Sequence, residues 1–223
     1  MLIMTNCQVF ICGIDEVGRG PLAGPLLSAC AFIPPETLDH PVWAHVTDSK
    51  KLTRKKRESL FDDIAANCLF GIAEASAEEI DALNIHHATL LAMKRAFEAM
   101  TQPHPPSPIG RGKAPVKSEA LSREGEGLKI LIDGKFIPPG LPCPAEAVVK
   151  GDSKVLEIAA ASILAKVTRD RIMEKLHNDF PAYGWCRNAG YGTAEHLDAI
   201  AQNGITIHHR KSFAPCAGQR LAA

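Results

Sequence analysis

Residues 9–25 read VFICGIDEVGRGPLAGP. The first seven, VFICGID, form an apolar, β-favouring run that ends in acid, as expected of a buried first strand. Asp15 and Glu16 are adjacent carboxylates that repel one another. A divalent cation resolves that conflict, because hard ions such as Mg²⁺ prefer carboxylate oxygens and water. Successive side chains of a regular strand point to opposite faces. Asp15 and Glu16 can therefore share an ion only if the strand ends or kinks between them, and Gly18 just beyond suggests that it does. Gly18 and Gly20 flank Arg19 and leave the backbone open to close approach. Exposed N–H and C=O groups there suit phosphate or sugar hydroxyls, and the guanidinium suits phosphate. On this stretch alone, a tight turn with solvated acids is the plainer reading.

Working outward, Leu26–Ile33 reads as a second buried strand stopped by Pro34-Pro35. A helix is expected over TRKKRESLFDDIAANC, with Thr53 as its cap and Leu60, Phe61 and Ile64 on its buried face. Phe70–Ser76 is a short strand candidate. Ser76 and Glu79 form a capping box that opens the next helix, and a longer helix runs from about His87 to Met100. KILID (129–133) and Ala145–Lys150 are strand candidates. Leu156 to about Asn178 is a strong helix with Ile158, Ile163, Leu164 and Val167 on its apolar face, and Thr193–Asn203 is another. This alternation predicts an α/β fold with a mixed sheet.

Residues 101–127 break the pattern, with five prolines and four glycines in 27 residues and few large apolar side chains. Such a composition buries too little surface to offset its ordering entropy, so the segment reads as a disordered surface insertion. The remainder of the 223 residues is ordinary globular composition, 46% apolar and 22% charged, with zero formal net charge. Nucleic-acid contact would then come from local patches. Seven scattered cysteines without a C-x-x-C pair point to free thiols rather than a zinc ribbon or disulfide framework. The first basic residue is Arg19, and no apolar run approaches the roughly 20 residues of a membrane span. A cytoplasmic location is the expectation.

Two further acids make the first pair more informative. Asp133 follows KILI and precedes Gly134, and Asp152 sits in Lys-Gly-Asp after AEAVV. Three strand ends that each deliver an acid can converge on one edge of an α/β sheet. Two ions held about 3.5–4 Å apart by such acids suit in-line attack on a phosphodiester. Asp170, within the long helix, is better read as an ion-pair partner.

In this order the chain carries GIDEVGRGPLAGP (13–25), DSKKLTRKKRESL (48–60), IDG (132–134), VVKGDSKVLEIAAASILAKVTRDR (148–171), YGWCRNAGYGT (183–193) and HRKSF (209–213). In these blocks it resembles the bacterial ribonuclease HII family. The resemblance implies a ribonuclease-H-like mixed β-sheet flanked by helices, with a small helical C-terminal part over about 178–223 that contributes to substrate binding. It implies one catalytic domain over 1–223 that cuts RNA–DNA hybrids and single ribonucleotides in duplex DNA. The cut would fall on the 5′ side of the ribonucleotide and leave 3′-OH and 5′-phosphate ends. The family's metal ligands fall on Asp15, Glu16, Asp133 and Asp152, for Mg²⁺ or Mn²⁺, two ions during catalysis. Its ribonucleotide-recognition element falls on Gly18, Arg19, Gly20 and Tyr191. The tyrosine ring would stack on the sugar of the next deoxynucleotide while the glycine turn reads the 2′-OH.

Lys50 and Lys51, with Arg54, Lys55 and Lys56, form a basic run that reads as a phosphate track beside a nuclease site. His209, Arg210 and Ser212 are candidates for further phosphate contacts. The chain departs from the family at Lys135, where asparagine is common, and at Glu157, where serine is frequent. A monomer is expected. Other readings are a DNA-junction nuclease of the same superfamily and a non-catalytic binder that uses the basic run; a phosphate-loop NTPase lacks G-x-x-x-x-G-K-[ST]. If residues 101–127 are a spacer, deleting 103–126 leaves soluble protein with near-normal cleavage, and an insoluble or inactive product refutes that reading.

Overall fold

The computed structural model describes residues 9–101 and 127–222. Five strands form one sheet in the order β3-β2-β1-β4-β5: β1 Val9–Val17, β2 Leu26–Phe32, β3 Leu69–Ala75, β4 Gly127–Asp133 and β5 Ala145–Val148. β1 pairs antiparallel with β2, and β2 with β3, while β1–β4 and β4–β5 are parallel. The mixed sheet is as expected. All seven residues of β2 are buried, because helices cover both faces and the strand is paired along both edges.

Side-chain parity on β2 explains the layering. Leu27, Ala29 and Ala31 pack with α1 (Arg54–Asn67) and α3 (Leu156–Asp179). Cys30 and Phe32 face α2 (Ala77–Thr101) through Met93, Ala96, Phe97 and Met100. Two strand glycines set how closely the helices approach. A Cβ on Gly13 would lie 2.2 Å from the Glu157 carbonyl carbon and the Ile158 nitrogen of α3. One on Gly71 would lie 2.3 Å from the Met100 nitrogen of α2. The obstruction is backbone in both places, so no rotamer change can relieve it.

The local signals behave as their chemistry requires. The Thr53 hydroxyl accepts from Lys56 N–H at 3.2 Å and caps α1. Ser76 and Glu79 exchange the two bonds of a capping box. The helices expected before and after residue 84 run as one element with a break at Asn84, where φ is 63°. The Asn84 side chain accepts from His86 and His87 N–H and restarts the helix. Thr101 closes α2 and Gly127 opens β4; the rest of the expected insertion lies outside the described residues.

The C-terminal part is helical, with α4 (Trp185–Asn188) and α5 (Ala194–Asn203) around a small core of Leu22, Met173, Tyr183, Trp185 and Ile200. The six described cysteines are free. Among the described residues no helix is long and apolar enough to cross a membrane.

If the α3 backbone rests on Gly13, Gly13→Ala costs roughly 1–3 kcal/mol through overpacking. Thermal denaturation of that variant is then expected at least ~4 °C below wild type, and an unchanged midpoint would mean that α3 sits farther from β1.

Candidate metal centre and nucleic-acid interface

The acids reach one edge of the sheet through the parallel pairing of β1 and β4. The last paired residues are Ile14 and Ile132, so Asp15 and Asp133 are the next residues on neighbouring strands. β5 brings the chain back beside Asp133, and its 3-10 turn Gly151–Ser153 carries Asp152. Gly151 N–H donates to Asp133 Oδ1 at 2.7 Å, which ties the second and third acidic segments together.

The structure differs from the expected kink. β1 neither stops nor kinks between Asp15 and Glu16, since its pairing with β2 runs in register through Val17. The two side chains therefore leave opposite faces of the strand, yet Asp133 acts on both of them, so the end of the sheet rather than a kink brings their carboxylates to one patch. Asp15 is buried on the α3 side, where the Ser162 hydroxyl steadies its charge. Glu16 faces an open recess lined by Arg19, His86, Leu90, Asp133 and Phe136. Glu16 N–H donates to Asp15 Oδ1 at 2.7 Å. Pairing with β2 satisfies the rest of the strand, so nothing drives the kink that the repulsion alone suggested.

The electrostatics are those of crowded carboxylates. Burial, then repulsion by Glu16 and Asp133, pushes Asp15 well above the usual carboxylate range. Burial also raises Glu16, with Asp133 adding to the effect and Arg19 opposing it. Burial, Asp48 and Asp133 raise Asp152. Lys50 lies among these acids. Partial burial disfavours its charge, but the fields of Asp15, Asp152, Asp48 and Asp133 outweigh that and raise it. Among the described residues no three His, Cys, Asp or Glu side chains close into a ready-made metal cage. The acids meet through their fields across one patch.

The donors nonetheless fit a hard divalent cation. They are all oxygens, neighbouring acids raise Asp15, Glu16 and Asp152, and among the described residues Glu16 Oε2 is buried with no hydrogen-bond partner. An unpartnered buried carboxylate oxygen is costly, and a cation would satisfy it.

The glycine turn lies beside this patch. Gly18 adopts φ 92°, a conformation that disfavours a side chain. A Cβ on Gly20 would sit 3.5 Å from the Tyr191 ring, so turn and tyrosine are neighbours, with Tyr191 45% exposed. Arg210 is fully buried and donates to the carbonyls of Gly18 (2.6 Å), Arg19 (2.9 Å) and Gly24 (3.0 Å). Arg169, also fully buried, donates to the carbonyls of Pro25, Ala189 and Ala23. The carbonyls of Gly18 and Arg19 are thus spent internally. Among the described residues the N–H groups of Arg19 and Gly20 have no protein acceptor.

This revises the reading of the HRKSF block. Arg210 is a strut for the turn rather than a phosphate ligand. His209 is buried, with both ring nitrogens engaged by Thr206 and His196. The exposed Ser212 hydroxyl donates to Asp81 Oδ1 at 2.6 Å. The basic run also divides. Lys50 turns to the acids, Lys51 is 4.0 Å from Asp48, and Arg54 pairs with Glu174 on α3. Lys55 and Lys56 are exposed. Asp170 is an ion-pair residue as expected, held by Lys166 at 2.6 Å and Arg57 at 3.6 Å.

Sequence reading missed Asp48, which caps the turn carrying Lys50 and lies against Asp152. A signal was present, since Asp-Ser-Lys occurs twice, at 48–50 and 152–154. His86 and Phe136, packed edge to face at 4.6 Å on the recess, carried no signal.

The chain is similar to proteins of one known family. The family described as Ribonuclease HII matches residues 12–216. The Ribonuclease HII of Paramagnetospirillum magneticum is 48% identical over 211 residues, 95% of this chain and 93% of that protein. Among solved structures, RNase HII in its complex with PCNA from Archaeoglobus fulgidus is 25% identical, with a TM-score of 0.66 over 92% of this chain and 95% of that one. Bst-RNase HIII in complex with Mn²⁺ shares the fold at 16% identity, with a TM-score of 0.70 over 95% of this chain and 69% of that one.

Burial, then the neighbouring His196 and His208, lowers His209 to about 3. The unfolded residue titrates near 6.5, so its contribution to stability is complete above that pH and is lost as pH falls toward 3. The stability gap between wild type and His209→Gln, measured by urea unfolding, should therefore narrow from pH 7 to pH 4.5. A constant gap would show that His209 titrates alike in both states.

Proposed function

The chain belongs to the ribonuclease HII family and is a ribonuclease acting on RNA–DNA hybrids, and from that premise we propose that it also cuts duplex DNA at single embedded ribonucleotides. Hydrolysis falls on the 5′ side of the ribonucleotide and leaves 3′-OH and 5′-phosphate ends. The observation that carries this reading is the β1–β4 register, which sets Asp15 beside Asp133 at one sheet edge with the glycine turn adjoining.

Asp15, Glu16, Asp133 and Asp152 would hold the divalent metal, Mg²⁺ or Mn²⁺. Bound there as a pair, such ions lower the pKa of a water nucleophile and stabilise the charge on the leaving 3′ oxygen. The chain's own residues supply the rest. Burial and mutual repulsion keep the carboxylates poised for a cation in place of protons. Lys50 compensates the cluster's charge and, with Lys51, would meet the scissile-strand phosphates. The free N–H groups of Arg19 and Gly20 face outward because Arg210 occupies the neighbouring carbonyls. They would read a ribose 2′-OH or its adjacent phosphate, and Arg19 lies 3.7 Å from Glu16, close enough to pass between that acid and the substrate backbone. Tyr191, exposed beside Gly20, offers a face for the next sugar. Residues 178–223 contribute to substrate binding through Tyr191 and the supports of the turn. We further propose a single catalytic domain, a monomeric enzyme and a cytoplasmic location.

The test is the cut position on a DNA duplex that contains one ribonucleotide, with an all-DNA duplex as control. One nick, 5′ to the ribonucleotide and abolished by chelator, is expected. Asp133→Asn should lower turnover at least ~10²-fold while folding persists. Cleavage of the all-DNA duplex, or indifference to Asp133→Asn, would refute the proposal. Weakened binding with rising salt would accompany the nick.

A further inference from the structure

Behind Tyr191 lies a buried row of polar side chains that the chemistry above does not use. Trp185 is fully buried, and its indole N–H donates to His196 Nε2 at 3.1 Å. His196 Nε2 also lies 3.1 Å from His209 Nε2. His196 Nδ1 is 2.9 Å from the Tyr191 carbonyl oxygen. At the far end, Thr206 N–H donates to His209 Nδ1 at 2.9 Å. His196 and His209 are 0% and 1% exposed.

These contacts admit one arrangement of protons. An indole N–H and a backbone N–H only donate. His196 Nε2 must therefore carry a lone pair toward Trp185, and its proton sits on Nδ1, donated to the Tyr191 carbonyl. His209 Nδ1 must likewise carry a lone pair toward Thr206, which places its proton on Nε2, donated to His196 Nε2. Every bond then runs one way, from Thr206 through His209 and His196 to Tyr191. An added proton on either ring would face a donor, and burial lowers both imidazoles in keeping with this.

The end of the row is a binding residue rather than bulk structure. The Tyr191 carbonyl also accepts Thr193 N–H at 2.8 Å, so two donors fix the peptide that carries the exposed ring. The same C-terminal segment supplies Arg210, next to His209, to the Gly18 and Arg19 carbonyls. The loop is stitched in place besides: Leu22 N–H donates to the Gly190 carbonyl at 2.7 Å and Arg210 N–H to the Leu22 carbonyl at 2.8 Å. Turn and tyrosine are both placed from behind by one buried polar core.

We propose that His196, with His209 behind it, is a positioning residue: its Nδ1–H holds the Tyr191 peptide so that the ring stands against Gly20, and this placement sets the enzyme's preference for a ribonucleotide followed by a deoxynucleotide. The inference rests on the proposed role of Tyr191.

The experiment compares kcat/KM on a duplex with one embedded ribonucleotide against kcat/KM on a uniform RNA–DNA hybrid, for wild type, Tyr191→Ala, His196→Leu and His196→Asn. The asparagine amide can replace the Nδ1–H donor. Tyr191→Ala and His196→Leu should each lower the ratio about tenfold, the worth of a lost positioning hydrogen bond, and His196→Asn should restore most of it. If Tyr191→Ala lowers the ratio and His196→Leu does not, the positioning role is overturned. If Tyr191→Ala leaves the ratio unchanged, the reading of Tyr191 fails and the inference with it. Because His196→Leu removes a buried polar group, ¹⁵N-resolved imidazole spectra of the wild-type protein give a second measurement. They should show His196 protonated at Nδ1 and His209 at Nε2, and the opposite tautomer on His196 overturns the proposal.

Discussion

Carboxylates gathered at one sheet edge repel, and most of the site is organised around that repulsion. Parallel pairing of β1 with β4 ends at Ile14–Ile132 and leaves Asp15 and Asp133 side by side. The turn after β5 adds Asp152, with Asp48 behind it. Burial compounds the strain, because a low-dielectric setting penalises each charge and strengthens each repulsion. The molecule offsets part of it with protein donors: Ser162 toward Asp15, Gly151 N–H to Asp133, Arg19 beside Glu16, and Lys50 among them all. What remains uncompensated among the described residues includes the buried Glu16 Oε2.

The same trade appears with opposite sign in the C-terminal part. There, and on the adjoining α3, two buried guanidiniums, Arg210 and Arg169, have no carboxylate partner among the described residues and spend their donors on backbone carbonyls. Burial lowers them to about 9 and about 10 respectively. Charged donors bind carbonyls more strongly than neutral ones, so an otherwise irregular loop of glycines and prolines becomes a fixed surface. The carbonyls of the Gly18–Arg19 turn point inward to Arg210, which leaves its N–H groups to the outside. The turn after β1 and the helical C-terminal part thereby form one continuous surface.

Close packing links these regions. Gly13 lets the start of α3 rest directly on β1 two residues before Asp15, and Ser162 and Arg169 descend from that same helix. α3 therefore supports both the acidic patch and the glycine turn. A shift of α3, a helix buried around most of its circumference, would move Ser162 and Arg169 together.

The sequence by itself determined the elements and made the four candidate acids and the glycine turn legible through local chemistry: period-2 and period-3.6 burial, Thr53 and Ser76 as caps, and acids set immediately after apolar runs. Tyr191 was singled out only by the resemblance to the family. Local chemistry could not decide which face each acid takes. Whether β1 kinks after Asp15 depends on β2, which pairs through Val17 and keeps the strand regular. Nor could it separate Arg210 from a phosphate-binding arginine, since exposure follows from the loop that lies over it. Asp48 beside Asp152, the division of the basic run between acids and α3, and the directed row from Thr206 to Tyr191 are likewise products of tertiary structure. The first two join residues up to 120 positions apart, and proximity at that separation arises from packing, which no local pattern encodes.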